Sequence, residues 1–424
     1  PMLTNDYYDL IVIGGGTAGT LCAIAAARSG LKTAVIERNS WLGGMACGSG
    51  LTEMNAAGFQ SRPLYHGLEE EIFNQLIESG HGEYHFAVPM SSNKEVKVDR
   101  LRYDPEILKV ILEEKAVSAG VDIFYDSELT EAEEREDCCR ITVRNLYTTW
   151  NMEASYLADA SGNANLIRSL GGDTIKTPEE KQLTSTLMFR ISGVDIQKLN
   201  EFLNSGQLPS VIREGLSREV LKGKILALTP IPGSRDVSVN ATRAQGDYES
   251  SLSCSRSIIQ ARSQILPILE FIKEQIPGAE EATLSSIAPF FGVRDGRRIH
   301  GAYKLTLKDL ENMTRFEDSV ACGCYPMDIH DPVTNTVIWK VLPGVYHIPY
   351  RSLLPVGFHR TLVIGKCLAA DKEAFAAIRV MPIMMNVGES AGYLFRLAHE
   401  RRCCMDELNA EEIRECLDAR YLDN

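Results

Sequence analysis

The sequence predicts an α/β chain: a parallel-sheet domain that carries a β-meander, interrupted by a second, α+β domain. Three observations carry that prediction. Residues 8–44, YDLIVIGGGTAGTLCAIAAARSGLKTAVIERNSWLGG, alternate strand, glycine turn, small-residue helix and strand. A second strand running into a glycine turn, Tyr156-Leu157-Ala158-Asp159-Ala160-Ser161-Gly162, follows a series of alternating stretches. A third, Leu362-Val363-Ile364-Gly365, returns near the end, beyond a long mixed region. A chain of 424 residues suits two or three such domains.

The first unit is the most informative. Leu10, Ile11, Val12 and Ile13 form a short apolar run, as a buried parallel strand does. Gly14-Gly15-Gly16 and Gly19 then give G-x-G-x-x-G, the Rossmann-like fingerprint of a dinucleotide site. Gly14 makes the tight turn, Gly16 lets the backbone approach a pyrophosphate, and Gly19 lets helix and strand pack closely. Thr17 and Ala18 open the helix whose free N–H groups and dipole favour the phosphates. The second strand, 33–36, ends in Glu37, placed to accept hydrogen bonds from a ribose.

The remaining elements follow in order. Residues 61–95 read as a helix and a loop carrying His66, His81 and His85, a candidate cover for the active site. Asp104 is expected as an N-cap, with Pro105 in the first turn of a helix running to Gly120. A buried strand is expected at 121–125, alternating stretches at 128–135 and 140–146, and a third meander strand at 148–153. Beyond residue 176, strands are expected at 183–191 and 237–241, and one helix at 250–275, ended by Pro277-Gly278. Pro382 favours the first turn of a last helix, with helical spacing over 385–397.

Composition limits the function. Lys+Arg 44 against Asp+Glu 57 gives a net charge of −13, which disfavours a nucleic-acid surface or anionic lipid. No apolar run approaches a membrane span, and the start, PMLTNDYYDL, has neither a basic n-region nor an apolar h-region. The eleven cysteines include two adjacent pairs and Cys322-Gly-Cys324 but no pair of C-x-x-C units, so no metal site is expected. Together these features suggest reduced thiols and a cytoplasmic location.

The extension Glu37-Arg38 to Trp41-Leu42-Gly43-Gly44-Met45 resembles the FAD-binding start of the glutathione-reductase-like flavoproteins, whose glycine pair contacts the flavin side of the pyrophosphate. Asp159-Ala160-Ser161-Gly162 resembles their second dinucleotide-domain signature. Four further blocks, 292–301 (GVRDGRRIHG), 325–332 (YPMDIHDP), 348–355 (IPYRSLLP) and 364–382 (IGKCLAADKEAFAAIRVMP), extend the likeness over the whole chain. They resemble the FAD-dependent oxidoreductase family related to fumarate-reductase flavoproteins. The chain departs from that family at Asp295, where glutamate or threonine is usual, and at Lys366-Cys367, where Arg-Cys is usual. The resemblance implies FAD, a two-domain fold and hydride chemistry at flavin N5, but no single substrate. It implies an FAD-binding domain at 1–175 and 345–424 and a substrate domain at 176–344. The expected cofactor residues are Gly14, Gly16, Thr17, Ala18, Gly19, Glu37, Arg38, Gly43, Gly44, Met45, Asp159, Ala160, Ser161, Gly162, Gly365, Lys366, Arg379, Met381 and Pro382.

One fingerprint, not two, implies no separate NAD(P)H domain, so the electron donor or acceptor stays open. His347 and His330 are the acid–base candidates, because histidine titrates near neutrality. Arg294 and Arg351 are candidates for gripping a carboxylate or oxyanion with a planar fork. The leading expectation is hydride transfer between FAD and a small polar substrate at a CH–OH or CH–CH bond. One alternative is a flavin electron-transfer subunit, although the iron–sulfur cysteine runs of such complexes are missing. Another is an RNA-modifying flavoprotein, which the acidity disfavours. A homo-oligomer is compatible with the sequence.

Overall fold

The computed structural model describes residues 7–90, 92–334 and 336–417. The expected outer limits of the cofactor domain, and most of the start read for a secretion signal, lie outside the described residues.

The main sheet runs Asp122–Phe124, Thr33–Ile36, Tyr7–Ile13, Thr149–Asp159, Cys139–Arg144, Glu128–Glu134, with Thr361–Val363 also paired to Thr149–Asp159. Leu10 to Ile13 are buried, as expected for a parallel strand covered on both faces. The third meander strand and the strand before Asp159 prove to be one strand of 11 residues, Thr149–Asp159. Its start pairs antiparallel with Cys139–Arg144 and its end parallel with Thr361–Val363, while 153–159 run parallel to Tyr7–Ile13. No glycine or proline separates the two expected strands, so nothing breaks the extended backbone.

Residues 61–95 hold the expected helix, Leu68–Glu78, but not a loop. Gly82–Met90 and Asn93–Tyr103 form a hairpin that joins Glu53–Phe59 and Arg62–Pro63 in an antiparallel sheet. The expected helix over 250–275 is two, Ser251–Ser263 and Ile265–Gln275. Pro267 has no N–H for the ladder, and the Gln264 amide is held by the Arg243 backbone at 2.9 and 2.8 Å. The expected strand 183–191 is regular only at Phe189–Ser192; Ser185 and Thr186 make single bridges to Ala244 and Gly292.

Two cores result. The second gathers buried residues between Leu187 and Ala282 under the antiparallel sheet of Ala227–Pro230, Val237–Asn240, Phe189–Ser192 and Thr283–Ile287. Leu305, Leu310, Val320, Tyr325 and Leu342 instead belong to the first core, with the parallel sheet and helix Met381–Arg401. That helix lies against Thr17–Arg28 with its glycines at the contact: a Cβ on Gly388 would sit 2.1 Å from the Ala18 carbonyl oxygen, and one on Gly392 2.6 Å from that of Cys22. No helix among the described residues is long and apolar enough to cross a membrane.

Candidate active site

The glycine turn is closed on three sides and open on one. Gly14 has φ +103°, and a Cβ there would sit 2.5 Å from the Ala160 carbonyl oxygen. A Cβ on Gly19 would sit 1.9 Å from the Gly14 carbonyl oxygen, so only glycine lets helix and turn meet. A Cβ on Gly16 would meet nothing within 4 Å. No side chain caps helix Thr17–Arg28, so its first N–H groups, those of Thr17 and Ala18 included, have no side-chain acceptor at the N-cap. Such a cradle fits a pyrophosphate.

Glu37 is buried and its carboxylate accepts from the Gly15 N–H at 2.7 Å and the Asn39 N–H at 2.9 Å, which fixes it at the edge of the turn. Gly43-Gly44 is more than a chain reversal. The Gly43 N–H donates to the Gly15 carbonyl at 2.7 Å, and Gly44 combines φ 50° with ψ −121° against Gly16. Arg38 stacks over Phe290 at 5.6 Å. The Cys47 thiol, just beyond Met45, is buried and pushed up to about 12 by burial, which makes it a packing residue.

The second turn is organised by Asp159, which accepts from the Ser161 hydroxyl at 2.6 Å, the Ser161 N–H at 3.0 Å and the Ile167 N–H at 3.1 Å. Its carboxylate is thereby spent on shaping the turn, and the neighbouring backbone of Ala160, Ser161 and Gly162 is what remains for a ligand. Gly365 abuts that turn, 3.6 Å from the Gly162 nitrogen when a Cβ is built. Lys366 then reaches back, its ammonium 2.6 Å from the Asp295 carbonyl oxygen and 3.2 Å from that of Arg294. The two departures from the family pattern, Asp295 and Lys366, therefore touch. Burial, then Arg379, pulls the Lys366 ammonium down to about 8.

One cavity of about 630 Å³ joins the two halves of the expected site. Met45, Lys366, Arg379 and Met381, at the start of helix Met381–Arg401, line it together with Arg294 and His330. Pro382 follows in the first turn of that helix, whose N-cap Val380 offers no side-chain acceptor. Asp328 ties the cavity wall together: it accepts from Arg379 at 2.6 Å and Tyr325 at 3.2 Å, with His330 Nε2 at 3.4 Å. Against the cost of burial, Arg379 and His330 hold its carboxyl below the usual range. Burial, then Arg294, drives His330 down to about 3, so it is neutral at pH 7. That direction runs against the expectation of His330 as a proton carrier near neutrality.

His347 and Arg351 do not line this cavity. His347 is buried on strand Tyr346–Pro349, paired to Ser319–Gly323, and burial followed by Arg315 lowers its proton affinity. Arg351 is half-exposed, bound to Asp318 at 2.9 Å and stacked on Tyr303 at 5.2 Å. Arg351 is thus engaged in an ion pair and a stacking contact, whereas His347 Nδ1 is buried without a hydrogen-bond partner.

Arg243 and Asp328 carried no sequence expectation. Arg243 is 4% exposed, and its guanidinium donates to Thr186 Oγ1 at 2.7 Å, the Thr242 carbonyl at 2.6 Å and Asn240 Oδ1 at 3.1 Å. Arg294 shares the same Thr186 hydroxyl at 3.1 Å and donates to the Thr184 carbonyl at 2.7 Å. Among the described residues neither guanidinium has a carboxylate within 4.0 Å.

The sequence profile of a family described as FAD dependent oxidoreductase matches residues 9–417. The chain belongs to that family. FAD is its cofactor, and the glycine cradle described above has the form such a cofactor requires. Among curated relatives, digeranylgeranylglycerophospholipid reductase 1 of Methanococcoides burtonii is 26% identical over 212 residues, 48% of this chain and 49% of that protein. Dihydrolipoyl dehydrogenase of Trypanosoma brucei brucei is 33% identical over 101 residues, 24% of this chain and 21% of that one. The chain thus spans about half the length of the first relative and less of the second. A solved geranylgeranyl bacteriochlorophyll reductase-like protein from Thermoplasma acidophilum is 14% identical, with a TM-score of 0.47, covering 97% of this chain and 82% of that one.

Proposed function

We propose that this FAD-dependent oxidoreductase transfers a hydride between flavin N5 and a small polar organic molecule in the 630 Å³ cavity, at a CH–OH or CH–CH bond. The supporting observation is that Met45, Lys366, Arg379 and Met381, expected at the cofactor, share this cavity with Arg294 and His330. In this reading 1–175 and 345–424 hold FAD, and the inserted region closes the cavity from the other side. When bound, FAD supplies the two-electron chemistry; the protein supplies orientation and charge. Arg294 grips the substrate's polar group with its free edge. Neutral His330, held by Asp328, donates or accepts a hydrogen bond and does not deliver a proton at pH 7. Lys366, drawn down to about 8, is the wall group that holds a proton near neutrality.

Anaerobic visible spectroscopy with sugars, hydroxy acids, amino acids and dicarboxylates tests this. Bleaching of the flavin band by one compound, or reoxidation of reduced flavin by one, is the expected result. A flavin that only dithionite or NAD(P)H reduces, and that no organic compound reoxidises, would overturn it.

A further inference from the structure

The cavity wall has a chemical bias that runs against the rest of the chain. Lys94, Arg100, Arg102, Arg294, Lys366 and Arg379 line it, against Glu53 and Asp328, in a protein of net charge −13. Glu53 is engaged with Arg100 at 2.8 Å and Arg102 at 3.0 Å, and Asp328 with Arg379, so the existing anions are already spent. Arg294 is left over, and Arg243 stands behind it on the shared Thr186 hydroxyl. Two neighbouring guanidiniums, Arg243 buried and Arg294 on the cavity wall, repel each other, and an anion in the cavity would offset that repulsion. Arg379, on the cavity wall, keeps its Nε buried without a hydrogen-bond partner, as in a site whose last acceptor comes with a ligand.

The opposite lining is apolar. Leu203, Leu208, Pro209 and Ile212 reach the cavity from helices Ile196–Asn204 and Leu208–Ser217, and Ile225 and Leu226 continue that wall. A small, fully polar molecule would leave this wall unfilled.

We infer that the substrate is an amphiphilic anion: a carboxylate or phosphate head held by Arg294, with an apolar body lying against the wall that runs from Leu203 to Leu226. The inference rests on the cavity being the substrate site, and it keeps the polar head of the reading above while adding an apolar body to it. Arg294 presents the edge that Thr184 and Thr186 leave free, and Arg243 holds Thr186 and adds its field.

Calorimetric titration of the oxidised holoenzyme with redox-inert straight-chain carboxylates of four to ten carbons, the matching alcohols and the matching alkyl phosphates tests it. The expected Kd falls about fourfold per added methylene until the cavity is filled. Each acid is expected to bind at least about tenfold more tightly than its alcohol. The tighter of carboxylate and phosphate identifies the head group, and either one supports the class. Arg294→Gln should erase the acid-over-alcohol preference and keep the chain-length trend. Ile212→Trp should flatten the trend and keep butyrate binding. Equal binding of acids and alcohols, no gain with length, or an unchanged preference in Arg294→Gln overturns the inference. The two readings fail separately. A short sugar that bleaches the flavin while alkyl acids do not bind removes only the amphiphile; graded acid binding in a protein whose flavin exchanges electrons with no organic compound removes only the hydride reaction.

Discussion

At the scale of single residues, Gly16 separates folding from cofactor binding. Because a Cβ there meets nothing within 4 Å, Gly16→Ala should leave the apoprotein melting temperature nearly unchanged, yet it fills the space where backbone and pyrophosphate approach. The expected result is a folded protein purified with a much lower flavin-to-protein ratio; an unchanged ratio would contradict the cradle. His330 gives a pH signature. Its folded proton affinity lies at about 3 against an ordinary 6.5, so between these values the unfolded chain binds a proton that the folded one refuses. Stability therefore falls as pH drops through that window, and His330→Gln should lose less melting temperature between pH 6.5 and 4 than the parent. The glycines, Glu37, Arg294 and the neighbourhood of His330 were legible because fixed spacing or a preceding apolar run marked them. Arg243 was not: it sits in Thr242-Arg243-Ala244 with no local motif, and only burial beside Thr186 gives it meaning. That His347 and Arg351 lie off the cavity was not legible, since a residue type suited to catalysis says nothing about which way its backbone turns.

Among elements, the contact between Thr17–Arg28 and Met381–Arg401 sets the distance from the glycine turn to the cavity. Gly388 makes it close, and any side chain there must push the Ala18 backbone aside. Gly388→Val should destabilise the protein by about 1–3 kcal/mol. Because the displaced helix begins at Met381, flavin should be lost as well; thermal unfolding with and without added FAD reads both effects. The helix itself was legible from Pro382 and its spacing, but its closeness was not, because a glycine inside a helix is silent until its neighbour is known. The hairpin from Gly82 to Tyr103 was hidden because its first strand alternates between half-buried and exposed positions. The fused strand Thr149–Asp159 was hidden by its change of partner midway.

For the whole molecule, the order of the blocks was readable because three of the expected cofactor turns, at Gly14, Gly162 and Gly365, follow an apolar strand. The division into cores was less so: residues 305–342 contribute to the core of the cofactor side, and the second core stops near Phe291, since sequence alone does not say which sheet an apolar residue will cover. The first and last parts of the fold depend on each other. A chain cut after Ile378 keeps the glycine turn but lacks the helix that covers Thr17–Arg28; it should retain no FAD and should bind a dye of exposed apolar surface, which flavin fluorescence and dye titration measure. The same dependence carries over to synthesis on the ribosome. The fingerprint is made long before its covering helix, which is finished only at Arg401, so for most of translation the nascent chain displays an apolar helix face that chaperones must shield. Flavin capture is then expected as a closing event rather than an early one, after that helix has arrived.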